Sequence, residues 1–226
     1  MNNIKSEVYS YLRQYRELYG CEILVDFDQN RSSASSKNIS YNKKKLLDDY
    51  ENEINLCQKC DIAFDRNNFV FGSGDPNADL FLVGEAPGRQ EDLKGLPFVG
   101  QAGKLLDKIL SAINRNRNKG VYIANILKCR PPKNRDPLQS EIDDCIPYLR
   151  NQINKIQPKL IMALGKVAAN ALLSSDNTLI GMRNITHEYD NFPLRVTYHP
   201  AALLRNPELK KPTWDDFKFA RDYLTK

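Results

Sequence analysis

Four short apolar runs punctuate the chain, each ending at a turn signal: ADLFLVG (78–84), VYIANILK (121–128), KLIMALG (159–165) and LRVTYHP (194–200). Their near-continuous hydrophobicity predicts strands buried on both faces, as in a parallel sheet covered by helices. Helical patterns fill the gaps: AGKLLDKILSAI after the first run, DPLQSEIDDCIPYLRNQINKI after the second and KVAANALL after the third. This β-α-β alternation predicts an α/β fold with a doubly wound sheet, in which ligands bind beyond the carboxyl ends of the strands.

Upstream, Ile4, Val8, Leu12 and Tyr15 share one helical face, which predicts a short amphipathic helix over residues 3–19. The stretch DQNRSSASSKNISYNKKK, from Asp28, is polar and poor in large apolar residues and reads as a mobile linker. An appendage over residues 1–46 and a main domain over 47–226 follow from this.

Composition narrows the class. With 226 residues, 41% hydrophobic and 27% charged, the chain is an ordinary globular protein, which excludes collagen-like, coiled-coil and wholly disordered readings. No run approaches the roughly 18 to 20 apolar residues that span a bilayer, and the first residues carry no signal-peptide core. A cytoplasmic protein with no membrane partner is expected. Thiols stay reduced there, so the five cysteines point to metal ligation, catalysis or plain burial rather than to disulfides.

The net charge of +5 is unevenly placed: between Lys104 and Arg135 nine Lys/Arg face one acid, Asp107. Such concentration suits docking on phosphate, or equally a solvated basic helix and loop.

The unusual residues fall at the strand ends. The first strand runs into GEAPGRQEDLKGLPFVGQAGKLLD, a long loop with five glycines and the acids Glu85, Glu91 and Asp92. It matches neither nucleotide-binding glycine pattern, G-x-x-x-x-G-K-[ST] or G-x-G-x-x-G. Its alternative reading is an irregular surface loop with Phe98 as a core plug. The second strand carries Asn125 among apolar neighbours and leads into KCRPPKNRDP. An amide there offers a donor and an acceptor side by side, as a base edge requires, or it bonds to neighbouring backbone. The last run ends at His199-Pro200, before AALLRNP; His199 is a candidate hydrogen-bond donor, and His187 is the other histidine. Cys57 and Cys60 form a C-x-x-C ahead of the sheet, while Cys129 and Cys145 lie 16 positions apart. Together they suggest a four-cysteine site for an iron-sulfur cluster or tetrahedral zinc, and spacing does not choose between them.

Taken in order, C-x-x-C, GEAPGRQEDLKGLPFVGQAGKLLD, YIANILKCRPPKNRDP, the second cysteine 16 residues on, and HPAALLRNP resemble the family 4 (type 4) uracil-DNA glycosylases, the iron-sulfur branch of their superfamily. The match runs from Cys57 to the C-terminus. The resemblance implies a three-layer α/β/α sandwich around a short, mainly parallel four-stranded sheet, a [4Fe-4S] cluster on Cys57, Cys60, Cys129 and Cys145, and DNA repair by hydrolytic release of uracil from DNA. It makes Phe98 the residue that stacks on the flipped base, Asn125 the reader of its edge, and Glu91 the residue that crowds thymine's methyl. Gly84 and Ala86 complete the base site. His199 would stabilise the departing uracil at O2, and Glu85 would orient water or counter the sugar cation, with Glu91 or Asp92 able to share that role. Lys128, Arg130 and Arg205 would contact DNA, and Leu203 or Leu204 would wedge into the duplex.

Two departures bear on function. About 55 residues precede the C-x-x-C, near which such chains usually begin, so the appendage is open to use as a protein-binding tether or an extra DNA contact. The related group that traps DNA covalently carries an inserted basic motif with a histidine after the second strand, which KCRPPKNRDPLQSE lacks, so turnover is expected. A monomer is expected. The alternatives are a non-catalytic or covalently trapping uracil-DNA-binding protein with a four-cysteine metal site, and a redox protein in which the cluster is the working part.

Overall fold

All four apolar runs become strands. The computed structural model describes residues 36–225, with side chains from residue 42; the helix expected over residues 3–19 and Cys21 lie outside that range. In chain order the strands are β1 (Ser73–Gly74), β2 (Leu80–Gly84), β3 (Val121–Asn125), β4 (Leu160–Leu164), β5 (His187–Tyr189) and β6 (Phe192–Thr197), arranged β1-β3-β2-β4-β6-β5. Strands β3, β2, β4 and β6 pair in parallel, as the sequence predicts. The expected four-stranded sheet gains an antiparallel edge on each side, β1 and β5. These are two and three residues long and contain no apolar run, so hydrophobic patterning gives no sign of them.

Successive side chains on a strand point to opposite faces, and here each face has its own core. Phe81, Val83, Tyr122, Ala124, Ile161 and Ala163 pack with Leu47, Tyr50 and Ile54 of α1 (Ser36–Ile54) and with Ile142, Leu149, Ile153 and Ile156. The other face, Leu80, Leu82, Val121, Ile123, Leu160 and Met162, meets a separate set: Leu106, Leu110, Phe217, Ala220 and Leu224. The helices responsible are, in order, α2 (Arg89–Lys94), α3 (Gln101–Ala112), α4 (Gln139–Ile156), α5 (Lys166–Leu173), α6 (Leu179–Met182), α7 (Pro200–Arg205) and α8 (Lys210–Leu224). Helices α1 and α4 thus cover one face and α3 and α8 the other, the α/β/α sandwich expected.

The linker expectation is corrected from Ser36 onward, because α1 runs unbroken through residue 46, where the appendage was expected to end. Leu47, Tyr50 and Ile54 are buried at helical spacing, and Lys43 Nζ donates to the Ile156 carbonyl at 2.7 Å. That packing extends the helix back into a lysine- and asparagine-rich stretch whose polarity reads as linker when taken alone. Residues 37–226 form one compact unit. Among the described residues no helix is long and apolar enough to cross a membrane.

The parallel register places the functional loops. Gly84 lies opposite Asn125 at the ends of β2 and β3, and beyond them the Ile126 and Leu127 amides donate to the carbonyls of Gly84 and Glu85. The Gly165 amide, just past β4, donates to Thr197 at the end of β6. Four chain crossings are thereby held side by side at one edge.

Candidate active site

A cavity of about 550 Å³ opens at this carboxyl edge. Glu85, Ala86, Glu91, Phe98, Asn125, His199 and Arg205, all anticipated from sequence, line it. Gly84 lies directly beneath: a Cβ there would overlap Asn125 Oδ1 and come within 2.6 Å of the Phe98 ring, so only glycine leaves both side chains in place. Asn134, Gly165, Lys166, Val167, Leu179 and Tyr198 also line the cavity and were not anticipated. A signal existed for two of them: Tyr198 directly precedes His199, and Gly165 is the last residue of a predicted strand run.

Phe98 is buried and has φ of 54°, a left-handed backbone that side chains rarely adopt. Glu91, on α2, accepts from the Val99 amide at 2.9 Å and the Gly100 amide at 2.8 Å. A Cβ on Gly103 would collide with the Phe98 carbonyl oxygen, so glycine is required where α3 passes the loop. The Phe98 ring lies 5.4 Å from the His199 ring, at 34°. Asp92, a sequence candidate to share Glu85's role, points away: it is buried, and its carboxylate accepts from the Asn67 amide at 2.9 Å.

Asn125 is 2% exposed, and among the described residues its Oδ1 is buried with no hydrogen-bond partner. Buried polar atoms are rarely left so; this one shares the cavity wall with the Phe98 ring. Its main chain is fixed from behind, since Lys128 Nζ donates to the Asn125 carbonyl at 2.9 Å and to Gln152 Oε1 at 2.6 Å.

His199 begins α7. Its Nδ1 accepts from the Ala201 amide at 3.1 Å and caps the helix, which leaves the proton of the neutral ring on Nε2. Burial, reinforced by Arg205, pushes this imidazole down to about 4 against the pull of Glu91. At neutral pH it is an uncharged donor. Burial, reinforced by Asp136, raises the Glu85 carboxyl above its ordinary range.

On the α1/α4 side, the four cysteines gather. Cys60 feels the charge of Cys57 and Cys129, and Cys145 that of Cys129 and Cys60; burial pushes Cys60 up to about 11 and Cys145 up to about 12. Among the described residues no group of three or more His, Cys, Asp or Glu side chains is arranged to hold a metal ion. The chemistry around the thiols nonetheless suits thiolate ligation. Arg66 Nη1 donates to Cys129 Sγ at 3.2 Å, the Tyr148 hydroxyl to Cys57 Sγ at 3.2 Å, and the Lys128 amide to Cys145 Sγ at 3.3 Å. Donors converging on sulfur stabilise thiolates and tune bound groups. Arg66 also ties the C-x-x-C segment down through the Cys57 and Asn55 carbonyls.

The sequence profile of the uracil DNA glycosylase superfamily matches residues 71–218. A type-4 uracil-DNA glycosylase of Archaeoglobus fulgidus is 43% identical over 180 residues, covering 76% of this chain and 90% of that protein. One from Sulfurisphaera tokodaii is 42% identical over 184 residues, covering 78% and 84% respectively. One from Thermotoga maritima is 34% identical over 190 residues, covering 82% and 98%. The chain belongs to the type-4 uracil-DNA glycosylase family.

For this type-4 family member two sequence candidates for DNA contact need correction. Lys128 is fully buried, and every polar group it has is engaged: its ammonium as above, its amide on Cys145 Sγ and its carbonyl on the Val70 amide. Leu203 is 1% exposed and belongs to the core, which leaves Leu204, 50% exposed, as the apolar tip of α7. Helical geometry separates these neighbours, because α7 presents one to the core and the next to solvent. Arg205 is exposed at the mouth. Arg130 is half-buried, its Nε donating to Asn134 Oδ1 at 2.7 Å.

Much of the basic stretch is likewise structural. Arg115 pairs with Asp79, Arg117 with Asp107 and Arg135 with Glu141. Charge counted along the chain overstates charge offered to a ligand.

Proposed function

We propose that this protein excises uracil from DNA: it flips deoxyuridine out of the strand, hydrolyses the N-glycosidic bond and leaves an abasic site. The unpartnered Oδ1 of Asn125, buried beside the Phe98 ring, carries this reading. Uracil supplies what is missing there, its N3–H donating to Oδ1 while the Asn125 amide nitrogen donates to O4. Cytosine presents the opposite pattern, and leaving such groups unpaired costs on the order of 1–3 kcal/mol each. Phe98 stacks on the ring, and Glu91 helps close the site where thymine carries its methyl. Unstacking the nucleotide costs about a few kcal/mol, which Leu204 offsets by filling the gap in the duplex while Arg205 takes a phosphate.

Bond cleavage leaves negative charge on uracil and positive character on the sugar. The Nε2–H of neutral His199 meets the developing charge at O2, a donor held in place before reaction. Glu85 orients the attacking water or faces the sugar cation.

Cys57, Cys60, Cys129 and Cys145 would hold a [4Fe-4S] cluster; the gathered thiols and the donors on three of them support that assignment. When bound, it supplies a rigid cross-link between the segment before the sheet and the β3–α4 connection.

The test is an oligonucleotide with a single uracil. Wild-type protein is expected to release free uracil and leave an abasic site. Asn125→Leu and His199→Asn are expected to do so at least 100-fold more slowly. A heat-stable protein–DNA adduct would instead favour covalent trapping, and binding with no released base a non-catalytic module.

A further inference from the structure

We infer that Arg117 is a positioning residue for the base-stacking Phe98, and that it acts through that ring rather than by touching DNA. This rests on the reading of Phe98 above. Arg117 follows α3 in the basic stretch, where charge suits a phosphate contact or, equally, a solvated loop. Its guanidinium is otherwise spent: Nε donates to Asp107 Oδ1 at 2.8 Å, Nη1 to the Pro97 carbonyl at 2.7 Å, and Nη2 to the Phe98 carbonyl. The side chain is 22% exposed.

The arrangement answers a local problem. A left-handed phenylalanine is strained and persists only where its surroundings over-determine it. Three restraints do so. Glu91 collects the amides of residues 99 and 100 on one side, Arg117 collects the carbonyls of residues 97 and 98 on the other, and Gly103 leaves room for the Phe98 carbonyl between them. The planar fork of arginine can span two adjacent carbonyls and still reach a carboxylate; lysine's single ammonium cannot. Asp107 holds the fork at its angle from α3, so the ring's position is referred to a helix packed on the sheet.

A double-mutant cycle on uracil release tests this, using Arg117→Met, Phe98→Ala and the pair, with Arg117→Lys as a variant that keeps the charge but loses the fork. Arg117→Met is expected to lower kcat/KM about 10-fold or more in the wild-type background and less than 2-fold when Phe98 is already alanine, because coupled residues are non-additive. Arg117→Lys is expected to fall with the same dependence on Phe98, and it completes the cycle should the methionine variant not fold. The salt dependence of affinity for DNA should be unchanged, whereas loss of a phosphate contact reduces the slope by about 1. Equal losses in both backgrounds, or a reduced slope, would overturn the inference while leaving uracil excision standing. A wild-type protein that releases no uracil overturns both.

Discussion

Lys128 donates its ammonium to the backbone carbonyl of Asn125 at 2.9 Å, from a position with no solvent exposure. Its other partner is neutral Gln152, whose own amide is fixed on the Phe71 carbonyl at 2.9 Å. A buried cation is costly unless charge compensates it: burial pushes the Lys128 ammonium down to about 8, with Cys145 and Cys129 acting the other way, and Cys145 accepts from the Lys128 amide at 3.3 Å. One residue therefore joins the cysteine cluster, through its amide, to Asn125, through its ammonium.

Lys128→Met keeps the length of the side chain and removes its charge. The Asn125 carbonyl and Gln152 Oε1 then lose a buried donor, at about 1–3 kcal/mol each. Urea unfolding is expected to show a loss of that order, with uracil release slowed even at temperatures where the variant is fully folded. Wild-type stability and turnover together would refute the link.

The pH profile separates the two catalytic candidates. In the proposed mechanism Glu85 works ionised, so its raised carboxyl is expected to place the acid limb of activity above the ordinary carboxylate range. His199, proposed to work as the neutral ring, stays neutral down to about 4 and is expected to set no limb near 6.5. Glu85→Gln is expected to retain slow turnover and to lose the higher limb. Stability follows the same logic: the unfolded imidazole binds its proton near 6.5 and the folded one only near 4, so His199 contributes stability above 6.5 that is lost as pH falls from there towards 4. His199→Asn should flatten that part of a stability-against-pH curve.

Gly103→Ala introduces a single methyl against the Phe98 carbonyl. The clash is with backbone, and relief requires the loop to shift away from α3. Uracil release is expected to fall at least 10-fold while affinity for DNA without uracil changes less than 2-fold, measured by fluorescence anisotropy. Unaltered turnover would show that the loop tolerates displacement.

Cluster content gives a further check. Cys145→Ala is expected to bleach the visible absorbance of iron-loaded protein, lower the melting temperature and slow uracil release, because Cys145 meets the Lys128 amide. Colourless wild-type protein containing zinc would replace the iron-sulfur assignment with the zinc alternative.

How much of this was legible in the sequence depends on where each signal resides. Strands buried on both faces announce themselves as apolar runs, so β2, β3, β4 and β6 were readable, and with them the carboxyl edge where Asn125 and His199 lie. Edge strands of two or three residues carry no such pattern, and β1 and β5 were invisible. The expectation that Lys128 contacts DNA fails because a sequence shows that a residue is charged, while only the fold shows whether its partner is a phosphate, a carbonyl or a carboxylate. Leu203 and Leu204 were indistinguishable until α7 was set against the sheet. Asn134 reaches the cavity from a left-handed turn (φ of 55°), a conformation asparagine tolerates, but the KNR tripeptide does not say where such a turn aims.

The pairing of Gly84 with Asn125 across two parallel strands carries one more implication. Side chains alternate between the faces of a sheet, so a slip of one residue between β2 and β3 would bring a bulky neighbour against the carboxamide and turn the discriminating atoms towards the wrong layer. On the proposed reading, fidelity in choosing a nucleobase is inherited from the ladder of amide bonds beneath it, and the amides of β3 should be among the slowest in the molecule to exchange with deuterium.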